Sequence, residues 1–247
     1  MNIWKLTTFQ LPSYGQVVYI HTNDDIKKYK NLLQWNIYLL WEWSNTVFLD
    51  NCSKTIVKNC LQWYEIIAET PNNIIVRVAS WENRNKFVHT SVFEKNRYGI
   101  ENLVAIPWTV WAAPWQNIGA YWQEVKDRVQ TVHWIDLQSM NEQQFSNKDC
   151  KFWYRTSVFK QEKAQNFFIT AVDFCLAKTK TYKPNTSYNQ VADYASKVQK
   201  NNPQLSDIQA TCEAIKQLRA SKLPDRSKTW TAWSFFVNPQ IAKQKLD

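Results

Sequence analysis

The sequence predicts an α+β protein: a mixed α/β first part with a tryptophan-rich sheet, followed by a basic C-terminal helical bundle. Three observations support this fold class. Apolar residues alternate with period two in Trp35–Trp43, which is typical of a strand. After residue 150 the apolar residues recur with helical spacing. The charge divides at the same place, since residues 1–150 hold 14 basic and 14 acidic residues, whereas residues 151–247 hold 16 and 7.

The first part begins with strand signals. In Trp35–Trp43, every second residue is apolar, so in a strand these side chains would share one face. This pattern predicts a half-buried strand. Two further apolar runs, Leu61–Glu69 and Ile74–Trp81, are separated by Thr-Pro-Asn-Asn. Turn residues between two such runs predict a β-hairpin with a loop longer than two residues.

A helix and another strand follow the hairpin. Asn83–Tyr98 has its apolar residues at helical spacing, and Gly99 stands where a helix commonly ends. Leu103–Trp108 is apolar again and predicts a strand. The first part therefore contains a strand–strand–helix–strand unit.

The second part is predicted to be mainly helical. Apolar residues between Ala164 and Cys175 predict a helix of about five turns, and those between Tyr188 and Val198 predict a second one. Ser206 and Gln209 have the spacing of a capping box, which predicts that a third helix begins there. Pro224 would end it.

Length and composition suggest two domains, residues 1–150 and residues 151–247, with enough apolar material for a buried core. No signal peptide is recognisable, and prolines interrupt the most apolar segment, Leu103–Trp115, so no membrane span is predicted. The five scattered cysteines are expected to be reduced thiols in a cytoplasmic protein.

No catalytic motif is recognisable. The three glycines, Gly15, Gly99 and Gly119, are too scattered for a phosphate-binding loop or a dinucleotide fingerprint, since both need clustered glycine. The cysteines and the three histidines lack metal-ligand spacing. The sequence thus predicts no catalytic residue, cofactor or metal, and favours a protein that is not an enzyme.

The charge asymmetry favours a polyanion as the partner. Proteins that hold single-stranded nucleic acid combine a positive groove with exposed aromatic rings. We therefore predict a non-catalytic RNA- or single-stranded-DNA-binding subunit of a larger ribonucleoprotein complex, such as a CRISPR-type effector or a viral nucleoprotein assembly. Its partners would be the nucleic-acid backbone and other protein subunits, and no membrane. The candidate contacts lie where basic and aromatic residues coincide: Lys151, Trp153, Arg155, Lys216, Arg219, Lys222, Arg226, Lys228, Trp230 and Trp233.

Two alternatives remain open. The chain could be a structural or assembly protein that uses its aromatic residues for protein contacts, or a small metal-independent nuclease using His89 or His133. The aromatic cluster could be a ligand cage or, at least as readily, a protein-binding surface, and ordinary core packing is the default interpretation. Its members are Trp108, Trp111, Trp115, Tyr121 and Trp122.

Overall fold

A computed structural model describes residues 1–3, 6, 11–34, 36–40, 47–106, 108–161, 167–178, 182–188 and 190–224. The strands are β1 Gly15–Ile20, β2 Ile37–Leu40, β3 Cys52–Asn59, β4 Tyr64–Glu69, β5 Asn73–Ala79, β6 Gly119–Ala120, β7 Gln123–Glu124, β8 Val129–Asp136, β9 Glu142–Ser146 and β10 Phe167–Ala177. The α-helices are α1 Asn23–Lys28, α2 Lys30–Leu33, α3 Arg84–His89, α4 Ala112–Trp115, α5 Val191–Asn201 and α6 Asp207–Lys222. The fold is therefore mixed, with both sheets and helices, as the sequence predicts.

The described residues contain two larger sheets and a two-stranded sheet of β6 and β7. The first is parallel, with strand order β1-β3-β2. The second has the order β4-β5-β10-β8-β9, and all its neighbouring strands are antiparallel. Its hairpin of β4 and β5 confirms the prediction from Thr70–Asn73, where the Thr70 amide and hydroxyl both donate to the Asn73 carbonyl. The largest hydrophobic core packs against this second sheet.

Strand β10 corrects the helix predicted between Ala164 and Cys175. It lies between β5 and β8 in the centre of the antiparallel sheet, and eight of its eleven residues are buried. A strand buried on both faces is a continuous apolar run, which periodicity alone does not distinguish from a buried helix segment. Ala164 itself lies outside the described residues.

The helix predicted for Asn83–Tyr98 is present in a different form. Asn83 is the N-cap of α3 and its side chain accepts from the Lys86 amide. After His89 the chain continues as a π-helical turn, Thr90–Glu94, and Gly99 follows with φ 111°. A residue with such a φ is most easily glycine.

The strand predicted for Leu103–Trp108 was wrong. Glu101–Leu103 is a short 3-10 helix, and Ala105 and Trp108 have φ values of 55° and 86°, which no strand contains. Leu103, Val104 and Ile106 are nevertheless buried, and Ala105 and Trp108 are partly buried, because an irregular loop packs onto the core.

The basic helical bundle predicted for the second part is not confirmed, since the described residues after 150 contain one pair of α-helices. Helices α5 and α6 pack against each other, and the capping box at Ser206 is present. The predicted boundary at residue 150 stays a prediction, although β10 joins strands from before that residue. Among the described residues, no helix has the length and apolar character needed to cross a membrane.

Candidate active site

The irregular connection between α3 and β8 carries the most unusual backbone of the molecule. We call residues 99–106 and 108–128 the crossover loop. Ten non-glycine residues of the described chain have positive φ, and half of them lie here: Ala105, Trp108, Asn117, Tyr121 and Trp122. Such conformations cost free energy and concentrate at functional sites, so this loop is the first candidate for a site.

Hydrogen bonds clamp the crossover loop onto the sheet. The Trp111 amide donates to the Ser80 carbonyl at 2.9 Å, and the Val110 amide donates to the Glu82 carbonyl at 3.0 Å. At its start, Tyr98 exchanges backbone hydrogen bonds with Ala177 at the end of β10. The strained residues are therefore held by the surrounding structure, which is the condition for such strain to persist.

A fully buried carboxylate lies at the base of the loop. Glu101 accepts hydrogen bonds from the Gly99 amide at 2.7 Å, the Tyr182 hydroxyl at 2.6 Å and the Gln123 side chain at 3.4 Å. Burial raises the pKa of Tyr182, and the neighbouring Glu101 carboxylate raises it further. The phenol therefore stays protonated and donates to Glu101, which satisfies a buried charge.

A short segment, residues 182–188, crosses over the loop, and we call it the strap. The Asn102 side chain donates to the Tyr121 carbonyl at 3.0 Å and to the Asn185 carbonyl at 2.7 Å. The Asn185 side chain in turn donates to the Trp122 carbonyl at 3.1 Å, and the Tyr188 ring packs edge-on against Trp122. These bonds fix the turn between β6 and β7 against the strap.

The turn formed by residues 150–157 approaches the loop from the other side. The Ser157 hydroxyl donates to the Trp115 carbonyl at 2.7 Å, and the Asn117 side chain donates to the Trp153 carbonyl at 3.1 Å. Arg155, with φ 53°, lies over Gly119: a Cβ added to this glycine would be 3.1 Å from Arg155 Nη1.

Arg155 is the cation that this arrangement offers to a ligand. Its side chain is half-buried, and among the described residues no carboxylate lies within ion-pair distance of it. Nearby Lys126 differs, because its ammonium is paired with Glu124 at 2.6 Å. A planar guanidinium without a carboxylate suits a carboxylate or phosphate ligand, since it donates two parallel hydrogen bonds.

The other predicted contacts lie in several environments. Lys151 and Trp153 are exposed on the same turn as Arg155. Lys216 pairs with Glu213 and Lys222 is exposed. Residues Arg226, Lys228, Trp230 and Trp233 lie outside the described residues.

Arg219 lies in α6 and contacts the crossover loop, rather than forming part of an open basic surface. Its Nε donates to the Ala105 carbonyl at 3.2 Å, and it is in contact with Tyr121. Burial lowers the pKa of Arg219, although the contact with Tyr121 opposes this effect. The structure thus brings Arg155 and Arg219 to one loop, which sequence spacing did not indicate.

The histidines do not form a nuclease site with each other. His89 is exposed and stacks on Phe93 with ring centroids 4.7 Å apart. His133 lies in β8, where its Nε2 is 2.9 Å from Asp173 Oδ2 in β10. Among the described residues, no group of three or more His, Cys, Asp or Glu could hold a metal ion.

The aromatic cluster is divided by the fold. Trp111 is buried and its ring packs edge-on against Trp115 at 5.4 Å, within the main core. Trp122 is 71% exposed at the tip of the β6–β7 turn, and Trp108 is half-buried. These tryptophans therefore do not form a single ligand cage.

Sequence reasoning missed the buried polar side chains of the loop. Glu101, Asn102, Thr109, Asn117 and Gln123 are all buried. The available signal was their position within otherwise apolar stretches, because a polar residue inside a core segment must find a partner there.

No family model matches the sequence. The comparison with known proteins finds similarity over most of this chain to UDP-N-acetylenolpyruvoylglucosamine reductases. The chain is 38% identical to that of Bdellovibrio bacteriovorus over 97% of this chain and 70% of the relative. It is 31% identical to that of Flavobacterium johnsoniae over 94% of this chain and 68% of the relative. It is 38% identical to that of Pseudoalteromonas translucida over 84% of this chain and 58% of the relative.

The fold agrees with a solved structure of the same name. The crystal structure of UDP-N-acetylenolpyruvylglucosamine reductase from Thermus caldophilus superposes with a TM-score of 0.69 at 17% identity. The match covers all of this chain and 77% of the other. At this identity the likeness shows the fold alone.

These findings overturn the predicted function. The chain resembles reductases over nearly its whole length, so the prediction of a nucleic-acid-binding ribonucleoprotein subunit was wrong, and so was the nucleic-acid partner. Net charge reports on association in general and does not identify a ligand. The chain belongs to the UDP-N-acetylenolpyruvoylglucosamine reductase family.

Proposed function

We propose that this chain reduces the enolpyruvoyl group of UDP-N-acetylenolpyruvoylglucosamine. The observation that carries the proposal is the 38% identity to the Bdellovibrio bacteriovorus reductase across 97% of the chain. The chain spans 58% to 70% of the length of the three relatives named above, so the activity is inferred from the shared part. The cytoplasmic location predicted from the sequence remains part of this proposal.

The reaction sets clear requirements on the site. Reduction of an enolpyruvoyl double bond adds a hydride to one carbon and a proton to the other, and negative charge develops on the adjacent carboxylate group between the two steps. The protein must bind two anionic parts of the substrate, its diphosphate and its carboxylate. Hydride donors in enzymes are nicotinamides or flavins, and the protein supplies their binding and orientation.

The described residues do not present the glycine-rich cradle with which proteins bind the diphosphate of such a dinucleotide. Gly119 is covered by Arg155, and Gly99 is packed against the Arg128 side chain. The crossover loop has tryptophan at two positive-φ positions instead. These residues therefore do not fit the diphosphate of such a donor.

The substrate fits one feature of the site well. Arg155 is half-buried, it lies beside the crossover loop, and no described carboxylate neutralises it. We assign to Arg155 the binding of an anionic group of the substrate, either the carboxylate or the diphosphate. Preorganised cations of this kind also stabilise charge that develops during a reaction.

The activity is tested with protein purified from the cells that carry the gene. It is incubated with the UDP-linked enolpyruvoyl sugar in two parallel reactions, one containing reduced nicotinamide and the other containing reduced flavin. We expect a product heavier by two hydrogen atoms, detected by mass spectrometry. Binding of the sugar without reduction by any of these donors would refute the proposed activity.

Arg155 is tested by substitution. We expect Arg155→Ala to weaken substrate binding by about 10- to 100-fold, because a hydrogen bond to a charged group contributes about 1.5–3 kcal/mol. Arg155→Lys should be intermediate, since it retains the charge and loses the paired geometry. Isothermal titration calorimetry with the substrate measures both.

Lys148→Ala is the matched control, because it removes one positive charge from an exposed position outside the crossover loop. It should bind the substrate as the unmodified chain does. Equal losses in Arg155→Ala and Lys148→Ala would mean that net charge, and not a specific contact, determines binding.

A further inference from the structure

Two tryptophans of the crossover loop have backbone conformations that favour glycine. Trp108 has φ 86° and Trp122 has φ 57°. For a residue with a bulky side chain, positive φ is a genuine outlier, because the Cβ approaches the neighbouring carbonyl oxygen. The value at Trp108 also exceeds the usual left-handed range of about 50–70°. Glycine adopts both conformations without this conflict.

The surroundings of Trp122 point to glycine independently of its φ. Strands β6 and β7 are joined by only two residues, Tyr121 and Trp122, and both have positive φ. This is the type I′ hairpin turn, in which glycine is strongly preferred at the second position. The Trp122 side chain is 71% exposed, so burial does little to offset the backbone strain.

The composition of the whole chain points the same way. It contains 14 tryptophans and only 3 glycines. Together these make up about 7% of the residues, which is the ordinary share of glycine alone in proteins. The surplus of tryptophan therefore matches the deficit of glycine.

Other tryptophans have ordinary surroundings. Trp134 is buried in β8 and packs edge-on against Phe167, with ring centroids 4.4 Å apart. Trp111 has φ −59° and lies in the core. The conflict between residue and backbone is therefore a property of particular positions.

We infer that positions 108 and 122 are glycine positions, and that the protein made in its own cells carries glycine at both. A codon that one genetic code reads as tryptophan and another as glycine would place tryptophan at both positions of a translated sequence. Glycine there would also remove two large side chains from the crossover loop and let a ligand approach its backbone amides. The inference rests on the backbone and the composition, and not on the proposed reduction.

The decisive experiment sequences the natural protein. Trypsin cleaves after Arg97 and Lys126, so a single peptide, Tyr98–Lys126, contains both positions. Tandem mass spectrometry of protein purified from the cells that carry the gene should show glycine at 108 and 122. The same peptide contains positions 111 and 115, for which we infer no exchange. Tryptophan at 108 and 122 in this peptide overturns the inference, and so does the ordinary tryptophan codon, UGG, at these positions of the gene.

A second experiment uses the recombinant chain. Trp108→Gly and Trp122→Gly should each raise Tm by about 2–4 °C, because the backbone strain is released. The matched control is Trp115→Gly, also in the crossover loop, whose backbone is helical and which packs against Trp111. That change should lower Tm. A lower Tm for all three variants contradicts the assignment of 108 and 122 as glycine positions. Both experiments are independent of catalysis, so a failed reductase assay leaves their outcome unaffected.

Discussion

Asp173 is the most highly connected charged residue in the centre of the antiparallel sheet. It is 4% exposed, and its carboxylate accepts two hydrogen bonds from Arg77 in β5, at 2.7 and 3.0 Å. On the other side His133 of β8 lies 2.9 Å away. The carboxylate thus connects three neighbouring strands, and its bonds are charge-assisted because the acceptor is ionised.

We predict that Asp173→Asn lowers the free energy of unfolding by about 2–4 kcal/mol, because the part-buried Arg77 guanidinium loses its charged partner. Urea denaturation measures the change. Asp24→Asn is the control, since Asp24 is 88% exposed and is paired with the exposed Lys27. The control should change stability by less than about 0.5 kcal/mol.

The same carboxylate makes stability depend on pH. Burial alone would raise the pKa of Asp173, but its bonds to His133 and Arg77 outweigh burial and lower it. A lowered pKa means that the stabilisation is present above the ordinary carboxyl range and is lost as the pH falls through the folded-state pKa. The loss of stability on acidification should therefore be smaller in Asp173→Asn than in the unmodified chain. Identical acid dependence in the two proteins would contradict this account.

Helix α6 shows how one element begins at a local sequence signal. The Ser206 hydroxyl accepts from the Gln209 amide at 3.3 Å, and the Gln209 side chain accepts from the Ser206 amide at 3.1 Å. Both bonds lie within four residues, which is why the sequence alone predicts them.

We predict that Ser206→Ala lowers the free energy of unfolding by about 1 kcal/mol, because the Gln209 amide in the first turn loses the hydroxyl that accepts its hydrogen bond. Ser196→Ala in the interior of α5 is the control: its hydroxyl bonds to the Ala192 carbonyl one turn earlier. That exchange should be neutral or slightly stabilising, since alanine favours the helix. Equal losses in both variants would show that the cap contributes nothing specific.

Strand β10 shows the opposite case. Its apolar residues are compatible with a helix until the neighbouring strands are known. Its backbone bonds go to β5 and β8, which lie 30 residues or more away along the chain. The same holds for Leu103–Trp108, whose apolar character reflects burial of an irregular loop rather than a strand.

For the whole molecule, the position of β10 bears on the predicted boundary at residue 150. We expect residues 1–150, expressed alone, not to fold cooperatively, because β5 and β8 would each lose the partner between them. Circular dichroism and urea denaturation of this fragment, compared with the full chain, measure the effect. A cooperative unfolding transition in the fragment would instead support an independent first domain.

Sequence patterns alone were sufficient for the β4–β5 hairpin and the cap at Ser206, because their hydrogen bonds close within a few residues, and for the mixed fold class. The central strand, the crossover loop and the approach of Arg155 and Arg219 to it were decided by tertiary structure. Those features depend on contacts between residues far apart in sequence, which local propensity and net charge do not contain.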